Sequence, residues 1–249
     1  LAESVTIGGA SKSVSVYGPN ASVYAGGGND TVFNHGTDGF VRIGGGSDHV
    51  NMYQGGTVTE SGIHGHDTIY WGASTSGTAT LDVEVHGKAT VYGSHAGHKF
   101  EIASIAGGNV DLAYSHGVLE ETAVSGKLTL IGGAAKTEFI GGSGGHTVML
   151  GGTGSDTFVG GSGHDTMTGG TGHSLFEFLS SYAGGNHVIT NFVAGDKLYL
   201  EGHSLSFLES QHEISTKDGN TYIKLDDGKT TIELKGFTGL HSSDITNHK

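Results

Sequence analysis

The chain has 249 residues, no cysteine, one proline and 47 glycines, with 12 Lys and Arg against 25 Asp and Glu for a net charge of −13. That length allows one large domain or a long repeat array; glycine does not fall on every third position, which excludes collagen, and no apolar run approaches a membrane helix, which excludes membrane insertion by one. The negative balance without a basic stripe excludes nucleic acid as a partner and favours hard cations, and an extracellular chain without disulfides needs another staple, for which a metal would serve.

The opening Leu-Ala-Glu-Ser carries no basic or apolar leader. Either a longer N-terminal part is removed, or export does not use a cleaved N-terminal signal. From there Val5, Val14, Val23, Val32, Val41 and Val50 stand nine residues apart. Helices need apolar residues at i, i+3, i+4 and i+7, and each interior glycine costs a helix about 1 kcal/mol, so this unit is not helical. It reads as a glycine-rich turn followed by a very short strand. Two units make an 18-residue coil with a strand on each side. Stacked coils then form two parallel sheets with the β-branched residues inside.

Residues 1–71 are predicted to be such coils. Over 72–131 the beat loosens through Leu81, Val91, Phe100, Val110, Leu119 and Leu128, which reads as coils with enlarged turns. It tightens over 132–178 at Phe139, Val148, Phe158, Met167 and Phe176.

Residues 151–159 read Gly-Gly-Thr-Gly-Ser-Asp-Thr-Phe-Val, and 160–168 read Gly-Gly-Ser-Gly-His-Asp-Thr-Met-Thr. Both match G-G-x-G-x-D-x-U-x, with U a large apolar residue. Glycine allows positive φ, so carbonyls can converge, and the sixth-position Asp adds a charged oxygen; calcium takes about six to eight oxygens. In these turns the chain resembles the repeats-in-toxin (RTX) family of bacterial type I-secreted proteins. The resemblance is fullest over 132–177, with weaker forms from about residue 5. It implies a parallel β-roll with calcium in the turns between neighbouring coils. Asp156 and Asp165 would be ligands, in turns formed by Gly152, Gly154, Gly161 and Gly163.

Asp30, Asp48 and Asp67 hold the same sixth position, with Gly28 and Gly46 in the turns of the first two. Asp30 and Asp48 are 18 residues apart and Asp67 follows after 19, which predicts all three stacked on one edge. Unneutralised, such a column repels itself; calcium between the coils would make it a ladder. The intervening turns carry Ala21, Gly39 and Gly56, so the opposite edge there is expected to be metal-poor. The pattern lapses at His146 in 141–149 and Ser174 in 169–177, and is almost absent from 72 to 131.

Sixteen histidines suggest a transition metal or a pH sensor. His66, His164 and His173 fall at the fifth, solvent-facing motif position, and His49, His146 and His187 lie near other turns, so solvated turn residues is the better reading. Gly141-Gly-Ser-Gly-Gly145 satisfies G-x-S-x-G but lies in a repeat turn rather than a strand-to-helix elbow. His86, His95, His98, Tyr114, His116, Glu120 and Glu121 are the residue types of polysaccharide lyases, but their spacing does not force them together. No catalytic centre is expected.

After Phe178 the beat ends. Asp218-Gly219 and Asp227-Gly228 separate apolar-patterned runs, a hairpin signal. Residues 179–249 are therefore predicted to be an antiparallel cap. The runs His187–Leu200, Thr231–Phe237 and Ser242–Ile245 resemble the segment that follows the roll in RTX proteins, where it carries an uncleaved secretion signal. That implies the type I secretion machinery as a partner and a location outside a Gram-negative cell.

The whole reads as an all-β parallel β-roll or β-solenoid of nine-residue repeats with a C-terminal antiparallel cap. Its expected role is a calcium-binding structural or adhesive protein of a surface layer, matrix or filament, with itself or an extracellular polysaccharide as partner. The alternative is the carrier tail of a larger secreted hydrolase or toxin.

Overall fold

A unit with one inward apolar side chain cannot bury it alone, and stacking solves this by placing like residues over one another. In the computed structural model, which describes residues 3–60, 65–71, 80–95, 99–115, 117–120, 127–133, 136–142 and 145–246, this is what the valines do. Val5 pairs with Val23, Val23 with Val41 and Val41 with Val58, all in parallel register. On the other side Val14, Val32, Val50 and Ile69 form a second column. That column continues through Val91, Val110, Leu130, Met149, Met167, Ile189 and Leu234. The molecule is thus an all-β parallel solenoid. Its one α-helix among the described residues is Leu205–Ser210, capped by the Ser204 hydroxyl, which accepts from the Phe207 N–H at 3.3 Å.

The interior changes character along the axis. Val23, Val32, Val41, Val50 and Val58 are fully buried in the first coils. In the later coils Phe139, Phe158 and Phe176 stack, with ring centroids 4.9 Å apart and planes within 14°. Strand spacing is close to ring thickness plus clearance, so identical aromatic residues in register stack without rearrangement. Outside, Tyr17, His35 and Tyr53 form a second stack at 4.6 and 4.1 Å.

Three expectations are corrected. The first concerns glycine-rich turns on both edges of every coil. In the first coils only one edge has them; Thr31–Ile43 is one continuous strand that pairs with both Ser13–Val16 and Ser22–Ala25. Its corner is filled from inside by Asn34, whose Oδ1 accepts from the Gly36 N–H at 3.0 Å, and Gly39 leaves room for the Asn34 amide.

The second concerns register at 141–149. Thr147, not His146, pairs with Asp165, and Met149, not Val148, pairs with Met167. The turn Gly141–Gly145 holds one glycine more than its neighbour, and one added residue turns a strand over, because side chains alternate between faces.

The third concerns the C-terminal region. Asn186–Ile189 and Lys197–Leu200 still pair in parallel with the preceding coil, and Thr230–Leu234 pairs in parallel with Asn186–Ile189. Among the described residues antiparallel pairing is confined to Ile214–Lys217, Asn220–Leu225 and Thr230–Leu234, with Asp218 and Gly219 both at positive φ in the first hairpin. As expected of coils in one continuing array, strand pairing runs from each of the four segments to the next, across 71/72, 131/132 and 178/179.

Candidate metal centre

After a first coil that enters as Lys12-Ser-Val14, three successive coils enter this strand as Asp-x-apolar: Asp30 before Val32, Asp48 before Val50, Asp67 before Ile69. Alternation then turns the Asp and the apolar residue to the same, inner side. Asp30, Asp48 and Asp67 are accordingly 2%, 2% and 0% exposed. Each reaches one coil back. Asp30 Oδ1 accepts from the Lys12 N–H at 2.9 Å, Asp48 Oδ1 from the Asp30 N–H at 2.7 Å and Asp67 Oδ1 from the Asp48 N–H at 2.9 Å. The row is therefore a stack of carboxylates about 4.8 Å apart.

Two glycines beside this row, Gly28 and Gly46, have no room for side chains. Gly28 and Gly46 have φ of 117° and 129°, and a Cβ on Gly46 would overlap the Gly28 carbonyl. Carbonyl oxygens are thus carried along the edge with the carboxylates. The fifth-position side chains add a second chain of bonds that the sequence reading missed. Asn29 N–H donates to Ser11 Oγ at 3.0 Å, Ser47 N–H to Asn29 Oδ1 at 2.9 Å and His66 N–H to Ser47 Oγ at 3.1 Å.

This donor set fits a hard cation. Asp30 Oδ2 is buried and has no hydrogen-bond partner, and the second oxygens of Asp48 and Asp67 are sealed from solvent too. Two unit charges 4.8 Å apart repel by about 3 kcal/mol at an effective dielectric of about 20, so the row calls for neutralisation. Among the described residues no three His, Cys, Asp or Glu side chains converge, so carbonyls would have to complete any coordination. On the opposite edge Ala21, Gly39 and Gly56 stack over one another and offer no carboxylate.

The fullest motif turns differ. Asp156, 1% exposed, has both oxygens engaged, Oδ1 by the Thr137 N–H at 2.8 Å and Oδ2 by the Gly152 N–H at 3.0 Å. Burial raises its pKa above the ordinary carboxylate value, against the lowering effect of these two bonds. Gly152 and Gly161 do not adopt positive φ; they are required because a Cβ would overlap the carbonyls of Gly133 and of Gly141 and Gly142. The carbonyls of Gly154 and Gly163 stand against Gly172 and Gly185 of the next coil in the same way. Asp165 lies on the other side of the roll, its Oδ2 3.1 Å from His187 Nδ1.

Two residues were misjudged from sequence. His187 is not a solvated turn residue but is 1% exposed. Asp196, which was not among the expected ligands, is 1% exposed, with Oδ1 accepting from the Ser174 N–H at 2.8 Å and Oδ2 from the Val193 N–H at 2.9 Å. Burial raises its pKa as well. Asp196-Lys-Leu198 repeats the Asp-x-apolar entry of the other rungs, and that signal was available. His98, His116, Glu121, Ser143 and Gly144 lie outside the described residues, as do the side chains of His86, His95, Tyr114 and Glu120.

No protein-family model matches the sequence, and no curated protein matches it. Seven solved chains match in structure. One is the extracellular lipase LipA from Serratia marcescens, at 15% identity and a TM-score of 0.38, over 89% of this chain and 40% of the lipase chain. This chain therefore spans less than half of that protein, and at this score no common fold is demonstrated.

Proposed function

We propose that this chain is a calcium-stabilised structural or adhesive module of the RTX kind, secreted by the type I route to a Gram-negative cell surface or matrix, with no catalytic role. The observation that carries the proposal is the Asp30–Asp48–Asp67 row, with a buried Asp30 oxygen that lacks a hydrogen-bond partner beside glycines that admit no side chain. Calcium supplies positive charge and accepts oxygen ligands in flexible number. On this reading Asp30, Asp48 and Asp67 hold it, helped by carbonyls at Gly28 and Gly46, and it joins one coil to the next. The turn at Asp156 offers weaker support, because both oxygens of its carboxylate already have partners.

The test is circular dichroism and thermal melting of the chain in excess chelator and in millimolar calcium. Calcium is expected to raise the melting temperature and strengthen the β signal, and equal magnesium to do much less, because magnesium demands tighter octahedral geometry. An unchanged spectrum and melt would overturn the calcium reading. The structural role is tested by light scattering during the titration. Self-association is expected as the charge of −13 is neutralised; a persistently monomeric mass would overturn it.

A further inference from the structure

We propose that the outer face of the first coils is a platform that binds a neutral polysaccharide. This rests on the adhesive half of the reading above and names its surface and its partner. Val14, Val32, Val50 and Ile69 turn inward, so the residues that alternate with them turn outward and stack in register. One outward rank runs Ser15, Phe33, Asn51, Tyr70. Beside it stand Tyr17, His35 and Tyr53, whose rings stack with centroids 4.6 and 4.1 Å apart and planes within 11°.

Core packing does not account for these rings. In the first coils valine dominates the interior and the aromatic side chains stand outside, whereas in the later coils Phe139, Phe158 and Phe176 are buried. Tyr17 and Tyr70 are 70% and 37% exposed. Each ring of the stack is held flat against its neighbour, so the platform is ordered before a ligand arrives, and binding costs it little side-chain freedom.

The composition of the face selects the partner. Neither rank contains Asp, Glu, Lys or Arg, in a chain of net charge −13. An anionic polysaccharide finds no lysine or arginine in these ranks and is repelled by the rest of the molecule. A lipid surface would need aliphatic side chains, which reach outward positions only later, at Leu150 and Val188. A neutral sugar ring has apolar C–H faces and a rim of hydroxyls. Aromatic rings take the first, and the hydroxyls of Ser15, Tyr17 and Tyr70 exchange hydrogen bonds with the second. The rungs repeat about every 4.8 Å, which makes the platform a strip along the axis, where a chain of linked sugars gathers many weak contacts at once.

Native affinity electrophoresis of the full chain in millimolar calcium tests this, with hydroxyethylcellulose, laminarin and dextran as neutral probes and carboxymethylcellulose as the anionic one. At least one neutral probe should retard the chain, undiminished by added salt, and carboxymethylcellulose should not. Tyr17→Ala and Tyr70→Ala should each weaken the retardation about tenfold. Tyr182→Ala removes an exposed ring from the turn Ser180–Tyr182, outside this face, and should leave it unchanged. No retardation by any neutral probe, or equal retardation in the wild type and both face variants, overturns the inference. If the face variants lose self-association while no probe retards the wild type, the face takes a second copy instead and the inference falls. A melting temperature that calcium raises leaves the calcium reading standing through any of these failures. Retardation with no effect of calcium on the melt overturns the calcium reading and leaves the platform.

Discussion

Asp156 and Asp196 sit two coils apart in one row and make the same pair of contacts. Each gives Oδ1 to an N–H one coil back, from Thr137 or Ser174, and Oδ2 to an N–H of its own turn, from Gly152 or Val193. Between them lies Ser174, where the motif calls for a third aspartate. The alternation keeps charged rungs from being neighbours, in contrast to the uninterrupted Asp30–Asp48–Asp67 row.

That contrast predicts a crossover for Asp48→Asn. The Asn Oδ1 can still accept the Asp30 N–H, while a like charge leaves a buried row. In chelator the variant should therefore equal or exceed the wild type in stability, and in millimolar calcium it should fall below it. Urea unfolding in both conditions checks this; the same shift of midpoint in each would refute it.

For Asp196, burial is the largest influence on the carboxyl and holds it above 3.8, outweighing its two N–H bonds and the charge of His173. The folded chain keeps the proton where the unfolded chain has released it. Stability contributed by this group is therefore greatest at and below the ordinary value and declines as pH rises towards the raised one. In chelator, urea midpoints across this range should fall with rising pH, and Asp196→Asn should flatten the slope. An identical slope in the variant would show that Asp196 does not carry it.

The two aromatic stacks should differ sharply in worth. Phe158 is buried between Phe139 and Phe176, so Phe158→Ala should cost about 3–5 kcal/mol. Tyr17 ends the outer stack at 70% exposure, and Tyr17→Ala should cost under about 1 kcal/mol. Denaturant unfolding at fixed calcium measures both.

Glycines of one turn should also separate. Gly46→Ala meets both a φ of 129° and the Gly28 carbonyl, whereas a Cβ on Gly27 has nothing within 4 Å. Gly46→Ala should destabilise by about 1–3 kcal/mol or more, and Gly27→Ala by little. Comparable melting temperatures for the two variants would contradict the close stacking of coils at that edge.

The columns were legible because stacking repeats one choice many times. Six valines at a spacing of nine predict both sides of the first coils, and Asp30, Asp48 and Asp67 fall in one row as their spacing requires. What stayed hidden is what a turn can absorb silently. The extra glycine in 141–145 moves Val148 out and Met149 in without disturbing the glycine pattern. Past Phe178 the rungs persist, but Ile189 meets Leu234 across a helix and a hairpin, so no short period marks the pairing. His187 was misread because its burial follows from which side of the strand it takes, and the lost beat conceals that side.

The column from Val14 to Leu234 also has a mechanical meaning. Its rungs are joined edge to edge, and each leans only on the rung above and the rung below. Tension applied at the two ends of such a chain is not shared by all rungs together. It peels the outermost coil first, and each 18-residue coil released pays out about 60 Å of slack before the next is loaded. A string of these modules would behave as a shock absorber, yielding in steps under a pull and rewinding when the pull is removed.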